Sequence, residues 1–219
     1  MITASNLTEL VGKTRSSSGK KKFSQSVELF VTLKDIDAKK VDLNINEVVF
    51  LPNPLPKVAK VAVFAGGDLA LKAERAKADK VISSDELDKI AANKRQARKL
   101  ARDYDFFLAE TALMARIGKS LGQILGPRGK MPSPLLPNAP VDAMIARYRT
   151  ATRVRGRQQL SFATKIGEES MPDAKIAENG LAVVGAIEKK LPRGQGNMRS
   201  VLVKLSMSKP AKMLVTEAK

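Results

Sequence analysis

The hydrophobic pattern changes its period twice along this chain. Val27, Leu29, Val31 and Leu33 alternate with Glu28, Phe30, Thr32 and Lys34. That two-residue period belongs to a strand with one buried face and one open face. It returns at Leu160, Phe162, Thr164 and Ile166, and again at Val201, Val203, Leu205 and Met207. Between these stretches, Val58–Ala65 is an apolar run broken only by Lys60, the mark of a strand covered on both faces. A half-open sheet and a fully covered sheet are different layers, so the chain must hold both. Each outer segment is too small to bury a core alone. The pattern therefore predicts an α/β (α+β) fold: a two-layer α+β domain built from both chain ends, 1–54 and 151–219, with a Rossmann-like parallel-sheet domain, 55–150, inserted into it.

The remaining elements follow in order. Leu7, Leu10 and Val11 predict an amphipathic helix over 4–13, and Asn46–Leu51 a strand pairing with the first one. Pro52, Pro54 and Pro56 stiffen the crossing into the inserted domain. After Gly66-Gly67 a helix is expected near Asp68–Lys77, then a short strand at Lys80–Ile82. Ser83 and Glu86 have capping-box spacing. They open one long helix that carries Leu87, Ile90, Ala97, Leu100 and Tyr104 on its buried side. A third strand at Asp105–Ala109, helical stretches over 111–125 and a helix near Val141–Tyr148 complete a strand-helix alternation with short connections. In the last segment, Pro172-Asp173 opens a helix reaching Lys190, and Leu191–Asn197 is a loop.

Charge narrows the function. Lys and Arg number 39 against 22 acidic residues, a net charge of +17. Such a surplus implies a polyanionic partner, nucleic acid before membrane. No apolar run approaches membrane-spanning length, and the N-terminus lacks signal-peptide features, so a cytoplasmic protein is expected. The chain has no Cys and no His. Disulfides, zinc fingers and His-based catalysis are thereby excluded. No cofactor is expected, and no acid pair suggests turnover.

Several stretches carry candidate chemistry beside a plainer reading. Gly66-Gly67-Asp68 stands where a dinucleotide site would lie, but the Gly-x-G-x-x-Gly spacing is absent, as is a phosphate loop. Lys94, Arg95, Arg98, Lys99 and Arg102 form a basic helix face, either solvated or set against RNA. Lys20-Lys21-Lys22-Phe23 precedes the first strand. Phe23 there either joins the core or stacks on a base while the lysines hold phosphate. Ser206-Met207-Ser208-Lys209-Pro210 ends the last strand with hydroxyls that suit ribose and phosphate. Finally, Gly126-Pro127 stops a helix, and the loop to Pro140 is stiffened by Pro127, Pro132, Pro134, Pro137 and Pro140. Long ordered loops are usually functional.

The run Gly118-Lys-Ser-Leu-Gly-Gln-Ile-Leu-Gly-Pro-Arg-Gly-Lys-Met-Pro132 resembles, without a gap, the signature of the large-subunit ribosomal protein L-one family, archaeal type. Lys21–Glu28, Leu51-Pro52-Asn53, Arg199-Ser200-Val201 and Ser206–Pro210 resemble further segments of that family. The resemblance implies a non-enzymatic ribosomal protein whose outer domain binds large-subunit rRNA. The matching positions are Lys22, Phe23, Ser26, Glu28, Ser200, Ser206, Met207 and Ser208. Secondary nucleic-acid contacts are expected at Arg116, Lys119, Arg128 and Lys130. The resemblance also implies a place in the mobile stalk, release of deacylated tRNA from the exit site, repression of its own mRNA, and a monomer when free. Two positions depart from the family pattern: Ser208 replaces the usual glycine, and Lys209 displaces the proline to Pro210. The shorter N-terminus fits the archaeal members. The competing class is a nucleotide-binding enzyme with a Rossmann-like domain.

Overall fold

A computed structural model describes residues 2–19, 21–36, 44–136, 139–157 and 159–215. Lys20 of the basic run and Pro137 of the proline loop lie outside these residues. The chain divides into two compact units, 1–57 with 150–219, and 58–149.

The first unit has two layers. Its sheet contains β1 (Ser26–Leu33), β2 (Asn44–Phe50), β7 (Ala151–Arg157), β8 (Ser161–Glu168), β9 (Met198–Leu205) and β10 (Ala211–Leu214). The spatial order is β10-β9-β1-β8-β7-β2, and every pairing is antiparallel. Two helices, α1 (Ala4–Ser16) and α7 (Asp173–Glu188), cover one face. The alternation does what its period requires: Val27, Leu29, Val31 and Leu33 are buried beneath the helices with Val201, Val203 and Leu205. The opposite face carries Glu28, Phe30 and Thr32 of β1 with Lys204 and Leu202 beside them.

The central strand β1 pairs with β8 and β9, and β2 pairs with β7 at the far edge. The expected pairing of the first two strands is therefore wrong. Neighbours in sequence pair only when a short turn joins them, and 33 to 44 is too long a span for a tight hairpin. β9 also ends at Leu205, so Met207 lies in the turn leading to β10 and not in the strand. The edge strand β10 and the strand β7 were not anticipated.

The chain leaves this unit beside Asn179, which is fully buried on α7. The Asn179 amide accepts from the Asn53 N–H at 2.9 Å and donates to the carbonyls of Asn53 (3.0 Å) and Ile166 (2.9 Å). It supplies the bonds a strand neighbour would otherwise supply.

The second unit is a four-stranded parallel sheet, β4-β3-β5-β6, with helices on both faces. Its strands are β3 (Val61–Phe64), β4 (Lys80–Ile82), β5 (Phe106–Glu110) and β6 (Ser133–Leu135). All four residues of β3 are fully buried, as the apolar run requires. Phe64, Ile82 and Phe107 pack under α3 (Ser84–Ala92), α4 (Lys94–Asp103) and α5 (Thr111–Leu125). On the other face, the Phe106 ring meets Tyr148 of α6 (Val141–Arg149) edge-on at 5.6 Å. The remaining helix, α2 (Gly67–Arg75), follows β3.

Two expectations need correction here. The long helix after Ser83 is two helices, broken at Asn93, whose ψ of 98° is extended. The Asn93 side chain accepts from the N–H groups of Arg95 (3.0 Å) and Gln96 (3.3 Å), so it restarts the helix as a cap. The proline loop contains β6, with Pro134 beside Ala109. Proline is tolerated there because β6 is the sheet's edge. The rest of the loop begins at Gly126, directly after α5, as the Gly-Pro stop implies.

Candidate nucleic-acid interface

Two segments separated by 180 residues meet at one end of the first unit's sheet. The Ser26 N–H donates to the Ser206 hydroxyl at 3.2 Å, and the Ser206 N–H donates to the Ser26 carbonyl at 3.1 Å. Antiparallel pairing of β1 with β9 forces this meeting, since the start of one strand lies against the end of the other. Behind the junction sits Gln25, fully buried. Its carbonyl oxygen accepts from the Met207 N–H at 3.1 Å, and its amide donates to the Ser18 hydroxyl at 3.1 Å. Its backbone exchanges bonds with Glu169, at 3.3 Å to the carboxylate and 2.9 Å from the Glu169 N–H. One side chain thus ties together the loop after α1, the start of β1 and the turn after β9.

The scaffold presents two apolar side chains to solvent. Phe23 is 53% exposed and Met207 is 65% exposed. Phe23 is therefore not core, which closes the plainer reading of the basic run. Lys21 and Lys22 stand beside Phe23, and Lys209 follows Met207, all exposed. Exposed apolar side chains set among lysines offer a stacking or packing surface with phosphate-holding charge around it.

The serines have structural duties. Besides its bond to Ser26, the turn uses the Ser208 hydroxyl as acceptor for the Leu205 N–H at 2.9 Å. Ser208 closes the turn with its side chain where the resemblance leads one to expect glycine. Glu28, on the open face, lies in register between Lys165 of β8 and Lys204 of β9. Lys165 also reaches Glu168 at 2.6 Å. Carboxylate and ammonium groups alternate across the three strands next to the exposed pair.

Ser200 stands apart from this group. It is six residues up β9 from Ser206, roughly 20 Å at the rise of a strand, and is only 2% exposed between Thr32 and Leu214. Alternation alone hid this, because it places a residue on a face but does not say which neighbours cover it. Gln25 was missed for a related reason: its partners are distant in sequence. Of the basic residues expected to make secondary contacts, Arg116 bonds Asp88 and Ser84. Lys130 donates to the Tyr104 carbonyl at 2.6 Å. Lys119 and Arg128 are exposed.

The glycine turn after β3 tests the nucleotide-binding alternative. Gly66 precedes α2, and Gly67 has a positive φ of 51°. A phosphate bound there would take the backbone N–H groups at the helix start. The Gly66 N–H instead donates to the Glu110 carboxylate at 3.2 Å. The protein's own anion holds that donor and would repel a second one.

A strongly basic chain whose glycine turn is filled by its own carboxylate does not offer the anion site that a dinucleotide-binding domain needs. The sequence profile described as the ribosomal protein L1p/L10e family matches residues 13–209. Among similar proteins, a chain from Cenarchaeum symbiosum is 45% identical over 218 residues, covering 100% of both sequences. One from Thermofilum pendens is 47% identical over 215 residues, covering 97% of this chain and 95% of its own. One from Methanocella arvoryzae is 44% identical over 206 residues, covering 94% and 97%. Each is named large ribosomal subunit protein uL1, and each comes from an archaeon. The chain belongs to the ribosomal protein L1p/L10e family.

Proposed function

We propose that this chain is a structural component of the large ribosomal subunit that grips rRNA with the first unit. The single observation that carries the reading is the exposure of Phe23 and Met207 beside lysines, around a buried Gln25 bonded at both ends of its amide. Other apolar side chains of the chain are as exposed; what sets these two apart is that lysines flank them and buried hydrogen bonds hold the segments that carry them. An RNA with splayed bases or exposed ribose covers them, and Lys22 neutralises a phosphate alongside. The names carried by the relatives, and the match of Lys21–Glu28 and Ser206–Pro210 to the family pattern, support the same partner. The family also supports the further roles: a place in the mobile stalk, release of deacylated tRNA, and repression of the chain's own mRNA by the same surface. The free protein is then a monomer whose RNA surface is open.

Filter binding with a large-subunit rRNA fragment tests the reading. Phe23→Ala and Met207→Ala should each weaken binding about ten- to hundredfold at fixed salt, in line with roughly 1–3 kcal/mol per stacking contact. Lys22→Ala should lower the slope of log affinity against log salt by about 0.7–0.9, one phosphate's share. The Phe23/Met207 double variant should depart from the sum of the singles, as neighbouring contacts do. Strict additivity with unchanged stability would mean two separate patches. Competition by the chain's own mRNA, but not by an unrelated RNA, is the outcome expected for repression through this site.

A further inference from the structure

In the second unit, α4 and the end of α5 enclose a cleft of about 310 Å³ lined by Lys94, Arg98, Arg128, Ser120, Gln123 and Ile124, among others. Lys94 and Arg98 are one turn apart, so both point from the same face of α4. Arg128 approaches from the opposite wall, in the turn that follows α5. All three are exposed. Among the described residues, no carboxylate forms an ion pair with any of them.

That lack of acids is local. Elsewhere in the same unit Lys80 meets Glu86 at 2.6 Å, Arg116 meets Asp88, and Arg149 lies 3.9 Å from Asp79. Those three acids are held by other cations, and Lys94, Arg98 and Arg128 face one space without a paired carboxylate. Convergent like charges raise the energy of the folded chain and raise the potential in the cleft. The arrangement is stabilised when an anion enters.

We propose that this cleft is a second nucleic-acid site, which seats a backbone phosphate of single-stranded RNA. The phosphate lies between Arg98 and Arg128, with Lys94 beside it and the Gln123 amide as a neutral donor. Ser120 does not donate to the phosphate, because its hydroxyl proton is given to the Arg116 carbonyl at 2.8 Å. Cations continue past the cleft along α4 as Lys99 and Arg102, the latter lying 3.7 Å from the Asp103 carboxylate at an exposed position. Lys94 to Arg102 spans about 12 Å of helix, which is longer than one phosphate and follows a strand to its next ones. A free nucleotide has no use for that extension. No aromatic residue lines the cleft, so binding is expected to ignore base identity and to depend on salt. The site shares no residue with the interface in the first unit, so either reading can fail without the other.

The test uses the whole chain, isotopically labelled for amide NMR. It is titrated at low salt with a single-stranded RNA hexanucleotide of mixed sequence, with ATP, with inorganic pyrophosphate, and with a poly-glutamate peptide. The expected result is saturable shifts of the amides of Lys94, Arg98, Gln123 and Arg128 with RNA. Binding there should be at least tenfold tighter than with the other three anions, and equal for purine and pyrimidine hexamers. Lys94→Gln with Arg98→Gln and Arg128→Gln should remove those shifts, leave those at Phe23 and Met207 in place, and leave the melting temperature unchanged or raised. Arg128→Gln alone, in the turn outside the helices, should weaken the shifts several-fold and serves if the triple variant fails to fold. Unmoved cleft amides, ATP or peptide bound as tightly as RNA, or RNA affinity at the cleft unchanged in Arg128→Gln would each overturn the proposal.

Discussion

Gln25 shows what a buried polar side chain contributes at a place where an apolar one of similar size would also fit. Both ends of its amide are bonded, to the Met207 N–H and the Ser18 hydroxyl. Gln25→Leu should keep the volume and strand both partners, at a cost of about 1–3 kcal/mol per group left unpaired. Urea denaturation should show that loss, and RNA affinity should fall with it because the turn presenting Met207 loosens. Phe23→Ala should separate the two effects, weakening RNA binding with stability unchanged, since an exposed ring supports little of the core. At this scale the sequence was legible in kind and not in arrangement. Lysines, an aromatic residue and serines near strand ends could be read directly. That Phe23 is outside, that Ser208 bonds the Leu205 N–H, and that Ser200 is covered by its strand neighbours depend on residues far along the chain.

Among elements, those with a strong period were legible. The alternation of β1, β8 and β9 and the unbroken run of β3 each state a face count, and the structure has those faces. Elements without a period were not. β7 reads Ala-Thr-Arg-Val-Arg-Gly-Arg, with Thr152 and Val154 buried and Arg155 exposed, too polar for its alternation to stand out. β6 is three residues holding a proline, and only its place at the sheet's edge makes it a strand. The break between α3 and α4 is a single Asn inside a helical pattern. Asn93→Ala should cost about 1 kcal/mol through loss of the cap. Hydrogen exchange should show the Arg95 and Gln96 amides losing protection while those in the middle of α5 keep theirs. Unchanged protection at both amides would mean that packing of Ala97 and Leu100, and not the cap, sets where α4 begins.

For the whole molecule, each unit has its own sheet and its own buried cluster. Unfolding should therefore not be a single two-state step, and calorimetry should give an enthalpy larger than the van't Hoff value. A substitution can mark which transition belongs to which unit. A methyl group added at Gly156 would come within 2.1 Å of the Phe162 ring, which is itself buried. Gly156→Ala should lower the transition of the first unit by roughly 1–3 kcal/mol and leave the second transition in place. The order of β1 between β8 and β9 also sets a timetable during synthesis. When Leu33 emerges, the strand has no neighbour, because both partners are encoded after residue 160. At roughly 5–20 residues per second, on the order of ten seconds pass before β8 is complete. The second unit, contiguous in sequence, is made and can close in that interval, while Val27, Leu29, Val31 and Leu33 wait uncovered. A nascent chain arrested once Arg149 is clear of the tunnel should resist protease over 58–149 and be cut within 21–36. The strand at the centre of the finished sheet is thus the part of the newborn chain that most needs a chaperone.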